Sequence, residues 1–195
     1  KEKITYRSGA KVNDLLVCTG DLGGSYLGLQ LLKREKEIFI ENPKMQPDLA
    51  GNEYVIQRQL KPEARIDIVR KLEKLKIDPT SMIDISDGLS SEGLHISKSS
   101  KVSVQIYEDK IPLDISAINL SEELNLNPIL CALNGGEDYE LLLTIKQQDY
   151  EKVKSDVDFT IIGHISDKSE GNNFLAKDGS SHPLRAQGWD AIKTD

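Results

Sequence analysis

The sequence predicts an α/β (α+β) domain in which flanking helices cover a layered, mixed β-sheet, and three observations carry that prediction. Short apolar runs typical of buried strands alternate with segments whose apolar residues recur at helical spacing. Some of these strands follow one another without an intervening helix, so simple βαβ units do not account for the whole order. The 195 residues are enough for one well-buried core.

The first part of the chain predicts a strand, a glycine turn and two helices. The apolar run 14–19 is typical of a buried strand, and glycines follow it. Leucines at helical spacing then predict a helix over 25–33. The charged segment 35–51 contains two prolines and is expected to be irregular. An amphipathic helix is predicted over 64–76.

The rest of the chain predicts four strands, several short helices and a late hairpin. Alternating apolar and polar residues over 101–107 predict a half-buried strand, whereas 139–145 is predicted to be fully buried. The other predicted strands are 81–85 and 158–165, the predicted helices are 88–99, part of 112–124, 128–133 and 147–155, and the hairpin follows 172.

Composition narrows the class of function. The formal charge of −7, from 32 acidic and 25 basic residues, argues against a nucleic-acid surface. The apolar runs are too short to span a membrane, and no signal peptide is recognisable. Cys18 and Cys131 lie far apart in apolar surroundings, which favours buried, reduced thiols. These features together predict a cytoplasmic protein without membrane or nucleic-acid partners.

A glycine turn over 20–24 joins the first strand to the first helix and carries Asp21. Such a turn can hold a phosphate at the helix N-terminus, although the Gly-Lys-Ser/Thr ending of a Walker loop is missing. The other interpretation is a plain tight turn.

The segment 82–89 carries the strongest chemical signal. Asp84, Ser86 and Asp87 place two carboxylates and a hydroxyl within four residues, at the end of a predicted strand. Carboxylates this close repel each other, and Mg²⁺ with bound phosphate is a common compensation. Alternatively, Ser86 and Asp87 are N-cap residues of the following helix.

A second acidic turn, with Glu137 and Asp138, follows the helix predicted over 128–133. Neither a Ser-His-Asp nor a Cys-His arrangement is recognisable. Phosphoryl transfer, which needs mainly positioning and charge neutralisation, suits the acidic turns that are present. In that chemistry Asp84 and Asp87 would hold the metal and Ser86 would donate to a phosphate. Arg7 would meet a nucleotide, or it is a surface charge.

Five motifs stand in a fixed order along the chain. The most specific are Ile83-Asp84-Ile85-Ser86-Asp87-Gly88-Leu89 and Gly135-Gly136-Glu137-Asp138-Tyr139-Glu140-Leu141. The others are Tyr6-Arg7-Ser8-Gly9-Ala10-Lys11, the segment 58–65 with its spaced Arg, Leu, Pro and Arg, and Gly188-Trp189-Asp190. With these motifs the chain resembles thiamine-monophosphate kinases. The family belongs to the superfamily of aminoimidazole ribonucleotide synthetase, selenophosphate synthetase and HypE, and this resemblance implies the C-terminal fold of that superfamily.

The resemblance implies ATP-dependent phosphorylation of thiamine monophosphate to thiamine diphosphate. It assigns Arg7 and Ser86 to ATP, and Asp84 and Asp87 to Mg²⁺ and, through the metal, to catalysis. It assigns Glu137 and Trp189 to the substrate. An indole favourably stacks on a cationic ring, although a lone Trp is also often a core or edge aromatic.

The resemblance further implies that residues 1–195 are a single C-terminal domain of a longer, homodimeric enzyme. An N-terminal half with ATP-binding, metal-binding and dimerisation functions would then be absent, and the fragment alone would be inactive. Two alternatives stay open: another ATP-dependent enzyme of the superfamily, or a catalytically silent module that binds a nucleotide or a partner.

Overall fold

The computed structural model describes residues 4–186, which form a seven-stranded mixed sheet with helices on both faces. The strand order is β2-β4-β1-β5-β3-β6-β7, and every neighbouring pair is antiparallel except β3 and β6. The strands are β1 (Leu15–Thr19), β2 (Ser81–Asp84), β3 (Ser103–Tyr107), β4 (Leu141–Ile145), β5 (Phe159–Ser166), β6 (Asn173–Leu175) and β7 (Ser181–Pro183). The predicted α/β class with a mixed sheet is confirmed.

Alternation along the central strand separates two layers of core. The helices are α1 (Gly24–Glu41), α2 (Glu53–Leu60), α3 (Ile66–Lys74), α4 (Leu89–Ser100), α5 (Ile115–Glu123), α6 (Pro128–Asn134) and α7 (Tyr150–Val153). Leu16 and Cys18 of β1 belong to the cluster that also holds residues of α4 and α6, whereas Val17 packs with α3 and α7. A third cluster joins α1, α2, α5 and α6.

Two predictions about elements are wrong, and one helix was missed. Helix α1 runs to Glu41 through residues predicted to be irregular, and buried Glu35 ties it to the following loop by accepting the Asp48 N–H at 2.9 Å. Helix α2 was not predicted. Strand β3 is not half-buried, because it lies between β5 and β6 and its polar Gln105 donates to Ser166 Oγ and Gly171 O, both at 2.8 Å.

Strand directions bring the acidic turns to one edge of the sheet. Strands β1 and β2 are both antiparallel to β4, so Thr19 and Asp84 end at the edge where β4 begins with Leu141. The predicted late hairpin is present as β6 and β7. Among residues 4–186, no helix is both long and apolar enough to cross a membrane.

Candidate functional site

Two loops at this edge are joined by backbone hydrogen bonds. The N–H of Glu137 donates to Ser86 O at 2.7 Å, and the N–H of Tyr139 donates to Ile85 O at 2.9 Å. Gly136, at φ +71°, allows the approach, since a Cβ there would lie 2.5 Å from Ser86 O. The two motifs that seemed separate in sequence therefore form one site.

Three carboxylates stand exposed on this site, on Asp84, Asp87 and Glu137. The hydroxyl of Tyr139 donates to Glu137 Oε2 at 3.0 Å. That hydrogen bond, followed by the negative charges of Glu137, Asp84 and Asp87, raises the pKa of Tyr139. Glu137 and Tyr139 adopt φ of +62° and +52°, an uncommon conformation for residues other than glycine. We call Asp84, Asp87, Glu137 and Tyr139 the acidic rim.

The N-cap interpretation of Ser86 and Asp87 is wrong. Gly88 is the N-cap of α4, at φ +109°, and no side chain caps the helix there. Instead, the Asp87 N–H and the Ser86 hydroxyl donate to Glu92 Oε1, at 3.0 and 3.4 Å. Burial raises the pKa of Glu92, and sequence reasoning did not single this residue out.

Two predicted site residues remain, and only Arg7 lies within the described residues. Arg7 is exposed and directly follows Tyr6, whose carbonyl accepts the Met82 N–H at 2.9 Å, so it lies along the strand that ends in Asp84. Trp189 lies outside the described residues. A cavity of about 400 Å³ opens beside the acidic rim, between the segment 62–65 and the side chains of Asp84, Tyr139 and Leu141.

Directly beneath the rim, Glu140 joins three elements. It is 2 % exposed and pairs with Arg58 of α2, Nη1 to Oε1 at 2.9 Å, and with Arg65 just before α3. The hydroxyl of Thr19, at the end of β1, donates to Glu140 Oε2 at 2.5 Å. We call Glu140, Arg58, Arg65 and Thr19 the buried ion network. Sequence reasoning quoted both arginines and Glu140 in two motifs without pairing them.

The side chain of Asp138 occupies the backbone N–H groups of the glycine turn over 20–24. Its Oδ2 accepts the Gly23 N–H at 2.7 Å and its Oδ1 accepts the Ser25 N–H at 3.2 Å, at the N-terminus of α1. Those N–H groups are the ones that a phosphate would need, so the tight-turn interpretation holds. Burial raises the pKa of Asp138 to about 6, and that of Asp21, which accepts from the Tyr54 hydroxyl at 2.5 Å.

The acidic rim offers carboxylate ligands for a hard cation but does not supply a complete set of protein ligands. Within 4–186 no group of three or more His, Cys, Asp or Glu side chains is close enough to hold a metal ion. Asp84 and Asp87 nevertheless offer exposed carboxylate oxygens, the ligands that Mg²⁺ takes in ones and twos while phosphates and water complete its shell. The residues therefore fit Mg²⁺ that arrives with a nucleotide.

Sequence comparison identifies relatives of this chain. No family model matches the chain. A curated relative from Aquifex aeolicus is 36% identical over 189 residues, which is 96% of this chain. One from Bacillus subtilis is 32% identical over 198 residues, 99% of this chain. Both are thiamine-monophosphate kinases. The chain is similar to thiamine-monophosphate kinases. The resemblance predicted from the motifs is confirmed.

The solved structures agree with the sequences. AaThiL complexed with AMPPCP and TMP matches with a TM-score of 0.77 and 33% identity over 98% of this chain. The hydrogenase maturation protein HypE from E. coli, at 16% identity, matches with a TM-score of 0.69 and supports the fold alone. This chain spans 55% and 57% of the two curated thiamine-monophosphate kinases, about half of their length.

Proposed function

We propose that the protein containing this chain is a thiamine-monophosphate kinase that transfers the γ-phosphoryl group of ATP to thiamine monophosphate. The bond from the γ-phosphorus to the β–γ bridging oxygen breaks, and a bond to an oxygen of the acceptor phosphate forms. ADP leaves, and thiamine diphosphate is the product. The observation that carries this proposal is the similarity to curated thiamine-monophosphate kinases across at least 96% of the chain.

The acidic rim supports this reaction through its charges. Asp84 and Asp87 would hold Mg²⁺, which neutralises the phosphates and orients them for in-line transfer. Ser86 and Arg7 would contact ATP. Glu137, whose carboxylate is held by Tyr139, would face the amino-bearing or cationic part of the acceptor. The acceptor phosphate is already ionised near neutral pH, so the reaction needs no general base from the protein.

The proposal extends to the assembly. We propose that this chain is the C-terminal domain of a longer, homodimeric and cytoplasmic enzyme, without nucleic-acid or membrane partners. The share of each relative that it spans, close to half, supports a longer protein. The isolated chain is then expected to be inactive, because an N-terminal half would supply further metal and nucleotide ligands.

Product formation tests the proposal. The full-length protein is incubated with ATP, Mg²⁺ and thiamine monophosphate, and thiamine diphosphate is separated by chromatography. The isolated chain and an EDTA-treated sample run beside it. Product from the full-length protein, abolished by EDTA, is the expected result. Folded full-length protein that makes no thiamine diphosphate but uses another phosphorylated or carboxylated acceptor would replace the proposed substrate. Nucleotide binding without any turnover would indicate a silent binding module.

Trp189 gives a sharper test of the substrate assignment. Its replacement by Ala is expected to raise the KM for thiamine monophosphate at least tenfold while the KM for ATP stays within twofold, because a stacked indole contacts only the acceptor. An equal rise in both KM values would contradict the assignment.

A further inference from the structure

Glu92 is a buried carboxylate to which the proposed reaction assigns no role. It lies in the first turn of α4 and is 2 % exposed. Its Oε1 accepts the N–H of Asp87 at 3.0 Å and the hydroxyl of Ser86 at 3.4 Å. Both donors belong to residues assigned to metal and nucleotide, so the contacts of Glu92 end at the proposed site.

The two bonds differ in strength, and the difference suits a supporting role. The hydrogen bond from the Asp87 N–H to Glu92 Oε1, at 3.0 Å, has an ordinary length. The one from the Ser86 hydroxyl to the same oxygen, at 3.4 Å, is long for a hydroxyl donor. The Ser86 hydroxyl can therefore turn to a phosphate oxygen while the Asp87 backbone stays in place. The acceptor oxygen of Glu92 is buried, where water competes little for the Asp87 amide and a hydrogen bond is electrostatically stronger than in water.

The turn is also held from its other side. Ser86 O accepts the Glu137 N–H at 2.7 Å. The peptide group between Ser86 and Asp87 is therefore hydrogen-bonded at both its carbonyl, to the loop that carries Glu137, and its N–H, to Glu92. The cost of burying Glu92 next to the negatively charged Asp87 is offset in part by the positive end of α4. A residue needed only to begin the helix would not have to reach back beyond the N-cap, Gly88.

We propose that Glu92 is a positioning residue that fixes the Ser86–Asp87 turn in the orientation in which Asp87 meets Mg²⁺ and Ser86 meets the nucleotide. The inference rests on the proposed function, since it presumes that this turn binds a metal–nucleotide complex. Outer partners that orient metal ligands typically affect metal affinity by about 10–100-fold.

The test compares Glu92→Ala and Glu92→Gln in the full-length protein. Gln keeps an acceptor oxygen, while Ala removes it. Glu35→Ala is the control, because Glu35 is also a buried carboxylate that accepts a backbone N–H, from Asp48, and it belongs to α1; unlike Glu92 it also pairs with an arginine, Arg34. Two quantities are measured: amide hydrogen exchange over 84–91, and the Mg²⁺ concentration that half-saturates binding of the nucleotide analogue AMPPCP.

The expected pattern separates positioning from stability. Glu92→Ala should speed exchange of the Asp87 amide and raise the half-saturating Mg²⁺ at least tenfold, Glu92→Gln less than threefold, and Glu35→Ala not at all. Unchanged Mg²⁺ dependence in a folded Glu92→Ala variant would overturn the inference, even if exchange is faster. If Glu92→Ala does not fold, Glu92→Asp takes its place, because the shorter side chain keeps the carboxylate but draws the acceptor oxygen away from the Asp87 N–H. It should speed exchange of the Asp87 amide and raise the half-saturating Mg²⁺, and unchanged Mg²⁺ dependence in the folded Asp variant would overturn the inference.

This design separates the inference from the proposed function. Wild-type protein that binds Mg²⁺ with AMPPCP but forms no thiamine diphosphate would overturn the kinase proposal, while the exchange and Mg²⁺ measurements would still decide the role of Glu92. Wild-type protein in which Mg²⁺ does not affect AMPPCP binding would overturn the inference itself.

Discussion

The acidic rim and the buried ion network use neighbouring residues of one segment for opposite purposes. Glu137 is exposed and Tyr139 half-buried, whereas Asp138 and Glu140 are almost fully buried. Asp138 bonds to the start of α1 and Glu140 to two arginines, so both inward carboxylates have partners. Carboxylates that bind a cation must stay accessible, while buried ones need hydrogen bonds or ion pairs to offset desolvation. Substitutions on the two sides should therefore separate activity from stability.

The largest effect is expected at the rim, for Asp84→Asn in the full-length protein. If Asp84 holds Mg²⁺ as proposed, removing its charge should lower turnover by about a thousandfold, which corresponds to about 4 kcal/mol of transition-state stabilisation. The free energy of unfolding should change by less than about 0.5 kcal/mol, because Asp84 is exposed. Steady-state kinetics at saturating Mg²⁺ and urea unfolding measure the two quantities. Near-normal turnover would reject the metal role of Asp84.

Glu140→Ala should act in the opposite way, with its main effect on the free energy of unfolding. The change leaves Arg58 and Arg65 without the carboxylate between them, and breaking a buried ion pair from one side costs about 3–5 kcal/mol. Urea unfolding of the chain measures this loss. Glu140→Gln is the control, since its amide oxygen can still accept from one arginine and should retain part of the stability. A loss below about 1 kcal/mol for the Ala variant would show that the network contributes little.

The two regions also differ in how far sequence could predict them. The rim could be found from local pattern, because Asp84, Asp87 and Glu137 follow apolar runs and acidic clusters are visible without a structure. The network could not, since Arg58 and Arg65 lie 82 and 75 residues before Glu140 and local spacing says nothing about such pairing. For the same reason Glu92 was overlooked, as a single Glu on a helix indicates neither burial nor a partner outside the helix.

The errors in the predicted helices and strands have a similar origin. The sheet and its class were predictable because buried strands are short and apolar. The second half of α1 was not, because it is rich in charge, and the contacts that fix it to the domain, Glu35 to the Asp48 N–H and Arg34 to Glu123, join residues far apart in sequence. In β3, the burial of Gln105 depends on hydrogen bonds from neighbouring segments, which alternation alone does not reveal.

A smaller effect, dependent on pH, is expected at Asp138. With a pKa of about 6 when folded against 3.8 as the ordinary value, this carboxyl binds its proton more tightly in the folded chain. Its contribution to stability therefore grows as pH falls from about 6 to about 4, by about 3 kcal/mol at most, and is lost as pH rises through 6. Asp138→Asn cannot titrate, so its free energy of unfolding relative to wild type should rise between pH 4 and pH 7. Parallel pH profiles of the two proteins would contradict the raised pKa.

The smallest effect is expected for Tyr139→Phe, which removes only the hydroxyl that donates to Glu137. Because both partners are accessible to water, stability should fall by no more than about 1 kcal/mol. The kinetic effect should fall on the acceptor, with a two- to fivefold rise in the KM for thiamine monophosphate and no change for ATP, because the freed Glu137 carboxylate samples more orientations. A change confined to the KM for ATP would contradict the assignment of Glu137 to the acceptor and place this carboxylate on the nucleotide side of the rim.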